Sequence, residues 1–203
     1  MPWTVSFAAA KPRDHACKRF DKIFPDMNTY FSFLRGINMA GHKIIKMEDL
    51  RKCFESMRFK NVRTYIQSGN VMFESTETNT RKLGITIEKG LIKSFGYEIS
   101  VFLRTVEEMQ SIAQLNPFKN ITTHANSKMF VTFVSEEIRP RPKVPLWSSR
   151  KDLEVIAVRG RDLFSLSHEV NGRFGFPNPF IEKEFGVAAT TRNWNTLRKL
   201  AAH

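Results

Sequence analysis

The order in which strand-like and helix-like stretches alternate between Thr29 and Thr105 constrains this chain more than any single motif. "TYFSFLRG" (29–36) is β-prone, rich in aromatics and closed by glycine. "MEDLRKCFESMRF" (47–59) aligns Met47, Leu50, Phe54 and Met57 on one helical stripe. "VRTYIQSGNVMFES" (62–75) reads as a hairpin. Gly69-Asn70 is expected to form a two-residue turn of the glycine-first type, with Ser68 opposite Val71 and Ile66 opposite Phe73. "NTRKLGITIEKGLIKSF" (79–95) is a second amphipathic helix with Leu83, Ile87, Leu91 and Phe95 aligned, stopped by Gly96. "EISVFLRT" (98–105) is a further strand. The order is β-α-β-β-α-β, the split βαβ unit of ferredoxin-like folds.

The remainder reads differently. A helix over 106–116 is stopped by Pro117, and "KMFVTFVSE" (128–136) is a strand. "EIRPRPKVPL" (137–146), with its three prolines, cannot be a central strand. Residues 153–169 form a strand pair turning near Gly160, and "NPFIEKEF" is a helix. "TTRNWNTLRKLAA" (190–202) is expected to be the last helix, with Thr190, Thr191 and Asn193 as alternative N-caps and Trp194, Leu197, Leu200 and Ala201 as its buried face. The fold class is therefore α+β: a ferredoxin-like portion over 27–105 and a smaller α+β portion over 106–203 packed on it.

Residues 1–26 are read as a disordered extension or the product of an upstream start, with the functional chain beginning at Met27. A signal peptide does not fit, because no lysine or arginine precedes the short apolar patch Val5–Ala10. The only cysteines are Cys17 and Cys53, so neither a zinc site nor a disulfide framework is expected, and the cytoplasm is the natural compartment. No apolar run reaches the roughly 18–20 residues of a membrane helix.

Lysines and arginines number 32 against 20 acidic residues, a net charge of +12. Residues 1–26 hold five basic and three acidic groups, so +10 belongs to the rest. Such a charge favours anionic partners but does not choose among nucleic acid, phosphorylated small molecules and acidic surfaces. The basic residues are scattered, with "RPRPK" (139–143) the densest cluster. The 18 phenylalanines read chiefly as core filling.

Three long stretches, "LRGIN", "TYIQSGNV" and "ATTRNWNT", closely resemble the signatures of domain-of-unknown-function family 1697, and the likeness runs from about Met27 to the C-terminus. The resemblance implies a bacterial-type α+β protein with a ferredoxin-like portion and no established activity. His42 stands where the family pattern has a smaller or lysine-like residue, and no catalytic role is assigned to it.

Ferredoxin-like topology makes strands one and three neighbours and opens the loop after strand one at the same edge as the hairpin. Arg35, Gly36 and Asn38 should then lie beside Gln67, Ser68, Gly69 and Asn70. The bland account is that these amides satisfy loop backbone. "GINMAGHK" (36–43) lacks the Gly-Lys-Ser/Thr ending of a nucleotide phosphate loop, although a looser anion nest with Lys43 or Lys46 stays open. "TTRNWNT" places hydroxyls and Arg192 at an expected helix start, a natural anion receptor, or else a well-made cap with a tryptophan anchor. Docking of the last helix on the ferredoxin-like half is expected to turn Thr191, Arg192 and Asn193 toward Gln67–Asn70.

These residues make a binder of an anionic small molecule or nucleotide the leading reading, with no cofactor and no metal. Nucleic-acid binding through a basic face is the alternative. An RNA-reading sheet would need exposed Phe31, Phe33 and Phe73, and the glycine-rich aromatic signature of that module is missing. An enzyme of unknown reaction comes third: His124 and His168 have no nucleophile or acid at a recognisable spacing and read as loop or surface residues.

Overall fold

The computed structural model describes residues 27–39, 44–119, 121 and 127–202. The readings that fell on the leader, His42, Lys43 and His124 lie outside the described residues.

The first half has the expected order: β1 (Asn28–Leu34), α1 (Met47–Ser56), β2 (Lys60–Tyr65), β3 (Asn70–Ser75), α2 (Thr80–Phe95) and β4 (Val101–Thr105). Its antiparallel sheet runs β2-β3-β1-β4, the ferredoxin-like arrangement. One face follows from period-two alternation: Tyr30, Leu34, Val71, Phe73 and Leu103 point at α1 and α2. The helices answer with Leu50, Cys53, Phe54, Leu83, Ile87 and Leu91, all buried.

The second half holds α3 (Val106–Leu115), β5 (Lys128–Val134), β6 (Leu146–Trp147), β7 (Leu153–Arg159), β8 (Asp162–Ser167), the short pair β9 (Glu169–Val170) and β10 (Arg173–Phe174), α4 (Pro177–Phe185), β11 (Ala189–Asn193) and α5 (Trp194–Ala201). Its main sheet runs β11-β5-β8-β7-β6. This sheet, with α3 and α5, covers the other face of the first sheet: Phe31, Phe33 and Phe102 share one core with Val131, Phe133, Phe164, Trp194 and Leu197. Phe33 and Phe133 stack across the seam with ring centroids 4.4 Å apart. Burial on this scale, at roughly 1.5–3 kcal/mol for each large apolar side chain, is what holds the halves together. A third core, around Val134, Val155 and Ile181, lies under α4. Phe31 and Phe33 therefore present no free aromatic surface, and Phe73 packs on the helix side.

Two local expectations are corrected. Ile66–Ser68 form a short 3-10 turn, Gly69 adopts the left-handed conformation, and the pairing is Tyr65 with Asn70 and Thr64 with Val71. The loop thus has four residues, not two, because Asn70 is held in the ladder by Phe33 on its other side. The stretch Thr190–Asn193 is strand rather than helix start: Thr190, Thr191 and Arg192 pair with Phe133, Thr132 and Val131 of β5. Two β-branched threonines suit that edge, and the helix begins only at Trp194. Of the three cap candidates, Asn193 is the cap, its Oδ1 accepting from the Asn195 N–H at 2.9 Å.

Candidate functional site

The two signatures meet at a buried polar junction where the sheets touch. Asn38 ties its own loop to the hairpin: Nδ2 donates to Ile45 O and Gln67 O, at 3.0 and 3.1 Å, and Oδ1 accepts from Ile45 N–H at 2.7 Å. Gly69 has to be glycine twice over. Its φ is +70°, and a Cβ would come 2.8 Å from Ile37 Cδ1 and 2.9 Å from Leu34 Cβ. Asn70 donates to Tyr65 O and Ser68 Oγ, at 3.1 and 2.8 Å, while its Oδ1 accepts from Arg192 Nε at 2.5 Å.

Arg192 is buried here without a carboxylate. Besides Asn70 it donates from Nη1 to Thr190 Oγ1 and Thr191 O, at 2.8 and 2.9 Å, and from Nη2 to Leu34 O and Ser68 O, at 2.9 and 3.1 Å. A guanidinium has five N–H donors, and all five are used. Its carbon also lies 5.4 Å from the Phe33 ring centroid. Burial brings its pKa down to about 10, so it remains a cation at neutral pH, solvated by amide oxygens and a ring.

The other candidates disperse. Strand geometry sends successive residues to opposite faces, so Thr191 leaves the junction and bonds Thr132 Oγ1 (2.7 Å) and Asn178 Oδ1 (2.5 Å) beneath α4. Asn193 is exposed and serves as cap. Arg35 turns toward α4 and β11, with Nη2 on the Glu182 carboxylate at 2.8 Å and Nε on Ala189 O at 3.1 Å. Gly36 and Gln67 stay at the exposed rim. Here the amides and the buried arginine satisfy backbone and one another.

At the other end of the seam lies a second buried arginine that no motif announces. Arg104 sits in β4 on the face shared with Phe102, where the alternation calls for an apolar residue. Its Nε and Nη2 donate to Asp162 Oδ1 at 3.0 and 2.7 Å, Nη2 also to Arg161 O at 3.0 Å, and Nη1 to Leu103 O at 2.7 Å. That uses four donors; the second Nη1 hydrogen makes no bond among the described residues. Its guanidinium carbon lies 4.8 Å from the Phe133 centroid. Burial pushes the Asp162 carboxyl above its ordinary range, with Arg104 only partly offsetting it.

Arg104 floors a cleft of about 450 Å³ between α2 and β4 on one side and the ends of β5, β8 and β11 on the other. Arg81 and Arg161 line it too, as do the hydroxyl residues Thr80, Ser100 and Ser135. A smaller opening of about 350 Å³ adjoins it, sharing Arg104 and Arg161 and adding Arg159, Glu108 and Glu137. Burial and the nearby Arg104 charge pull the Arg161 pKa down, partly countered by Glu108, whose carboxylate is 3.8 Å away, and by Asp162.

His168 has neighbours that its spacing concealed. Its Nδ1 is 3.3 Å from Ser127 Oγ, its Nε2 is 3.5 Å from Glu154 Oε2, and Trp147 stacks on the ring at 5.4 Å. It lies in a loop, as expected, but is only 19% exposed. Among the described residues no group of three His, Cys, Asp or Glu side chains is placed to hold a metal ion. No described helix is long and apolar enough to cross a membrane.

A ferredoxin-like sheet backed by a second antiparallel sheet defines an α+β protein whose two halves share a core and enclose a basic cleft. The family model for proteins of unknown function called DUF1697 matches residues 27–164, and the chain belongs to that family. Among solved structures it is similar to conserved bacterial protein SP0830 from Streptococcus pneumoniae: TM-score 0.62 and 16% identity, over 87% of this chain and 98% of that one. That likeness concerns the fold alone. No curated protein matches the chain.

Proposed function

We propose that this protein binds an anionic small molecule, and that the anion sits at the Arg104–Arg161 end of the seam cleft. The observation that carries the reading is that buried Arg104, which has one N–H without a bond among the described residues, lines the cleft beside an Arg161 whose charge is already disfavoured by its surroundings. An anion accepting from that N–H and from Arg161 would relieve both, at a dielectric low enough for charge-assisted bonds to count. The junction around Asn70 and Arg192 lies at the other end of the seam and lines no part of the cleft. Its arginine has no donor left to offer, so Gln67, Ser68 and Thr191 act as framework in this reading.

The test is thermal unfolding at neutral pH and low salt with inorganic phosphate and phosphate esters. A ligand at about 100 times its dissociation constant stabilises by about 2.7 kcal/mol. The shift should vanish in Arg161→Gln. Absence of any shift with the unaltered protein up to millimolar anion would overturn the proposal.

Nucleic-acid binding through the basic surface is the second reading. It loses the sheet-aromatic route, because Phe31 and Phe33 are 2% and 0% exposed. It keeps only the charge, and predicts oligonucleotide affinity that falls steeply with salt.

A further inference from the structure

The wall of the cleft contains a glycine that neither conformation nor packing requires. α2 turns Thr80, Arg81, Gly84, Ile85 and Glu88 toward the opening, positions one turn apart along one flank. Gly84 lies inside the helix, where glycine is less favourable than alanine. Its φ is not left-handed, and a Cβ built there would meet nothing within 4 Å. Gly90, farther along the same helix, shows the contrast: a Cβ there would come 2.3 Å from the Met57 sulfur. A Cβ at Gly90 would require the Met57 side chain to shift. Gly84 is left with one physical consequence, which is that no side chain projects into the cleft.

Its neighbour points the same way. Ile85 is 46% exposed and lines the opening, with Val101 of β4 on its own side and Val134 and Ala188 across it. The cleft thus has Arg104 and Arg161 on its strand side and, on α2, Gly84 and Ile85 set between Arg81 and Glu88, and its volume of about 450 Å³ is in the range of small-molecule sites. Bare phosphate would use Arg104 and Arg161 only. A phosphate ester carrying a flat, weakly polar group would use both sides, and Thr80, Ser100 and Ser135 also line the cleft.

We propose that Gly84 and Ile85 form a specificity wall, and that the ligand class is a nucleoside monophosphate, its base against the wall and its phosphate at Arg104 and Arg161. This rests on the reading of that end as the anion site. The experiment titrates the full chain with inorganic phosphate and, separately, with AMP, GMP, CMP and UMP. Calorimetry and thermal unfolding are read on the unaltered protein, Gly84→Ala, Gly84→Leu and Arg161→Gln.

The expected result is that at least one nucleotide binds about tenfold or more tightly than phosphate, and that Gly84→Leu removes this advantage while leaving phosphate binding unchanged. Gly84→Ala should raise Tm by about 2–4 °C, as a helix interior alone would dictate, yet weaken nucleotide binding. That variant keeps the test alive if leucine disturbs the fold. Nucleotides binding no better than phosphate, or a nucleotide preference that survives in both glycine variants, would overturn the wall and leave the anion site standing. If neither phosphate nor any nucleotide binds the unaltered protein, the anion site fails and the wall with it. Arg161→Gln should weaken phosphate and nucleotide alike; a nucleotide affinity indifferent to it would place the phosphate elsewhere and overturn the proposal.

Discussion

Arg192 and Arg104 are both arginines buried between the same two sheets, each with its guanidinium over a phenylalanine, and they end up in opposite situations. Arg192 is surrounded by neutral oxygens and has no donor to spare. Arg104 has a carboxylate partner, one N–H without a bond among the described residues, and a place in the lining of a cleft. The difference teaches that a buried cation is not by itself a sign of function. What matters is whether its donors are exhausted by the fold that buries it.

The sharpest way to break this comparison is Arg192→Ala. It strands the acceptors on Asn70, Leu34 and Ser68 and leaves a void, so a loss of about 3–5 kcal/mol is expected from urea unfolding. A loss below about 1 kcal/mol would mean that the junction is not the sealed framework described. Gly69→Ala attacks the same junction through the backbone. The left-handed φ and the contacts with Ile37 and Leu34 should together cost about 2–4 kcal/mol, read in the same way.

Asp162 sharpens the other side through pH. Its carboxyl is raised in the folded protein, so the native state holds this proton more tightly than the unfolded state. Its contribution to stability is therefore fully present below the unfolded value of 3.8 and is lost as pH rises through the folded value. On lowering pH from 6 to 3.5, Asp162→Asn should lose more stability than the unaltered protein. Parallel melting curves would show that Arg104 neutralises the burial after all. The smallest effect concerns Arg161→Gln: stability within about 0.5 kcal/mol, since this residue is half-exposed, together with loss of the anion-induced shift. A large destabilisation would make Arg161 another framework residue.

Much of the fold was legible in the sequence because local signals agreed with one another. The stripes Leu50–Phe54 and Leu83–Ile87–Leu91 and the alternation in β1 gave the ferredoxin-like half directly. The meeting of Asn38 with Gln67 followed from topology, and Arg192 does reach Asn70. The misreadings came where a residue type serves two structures. Thr190 and Thr191 can cap a helix or populate an edge strand, and only the pairing with β5, more than fifty residues earlier in the chain, decides. Gly69-Asn70 suits a two-residue turn until Asn70 is claimed by the ladder with Phe33. The cleft had no comparable signal. Its walls come from α2, β4, the β7–β8 turn and the approach to β11, each ordinary alone; Arg104 in an apolar strand was the single visible clue.

The face of the first sheet that carries Phe31 and Phe33 is finished only by residues made long afterwards, for Arg192 reaches back 158 positions to Leu34. A chain emerging from the ribosome at about 5–20 residues per second would hold that aromatic face incompletely covered for roughly ten to thirty seconds. Contacts of such span also slow folding, because the intervening loop must close before they contribute. The polar junction at Arg192 is accordingly the last stitch of the molecule. A chain interrupted before β11 would carry the whole ferredoxin-like half with Phe31 and Phe33 deprived of β11 and α5, and so open to aggregation.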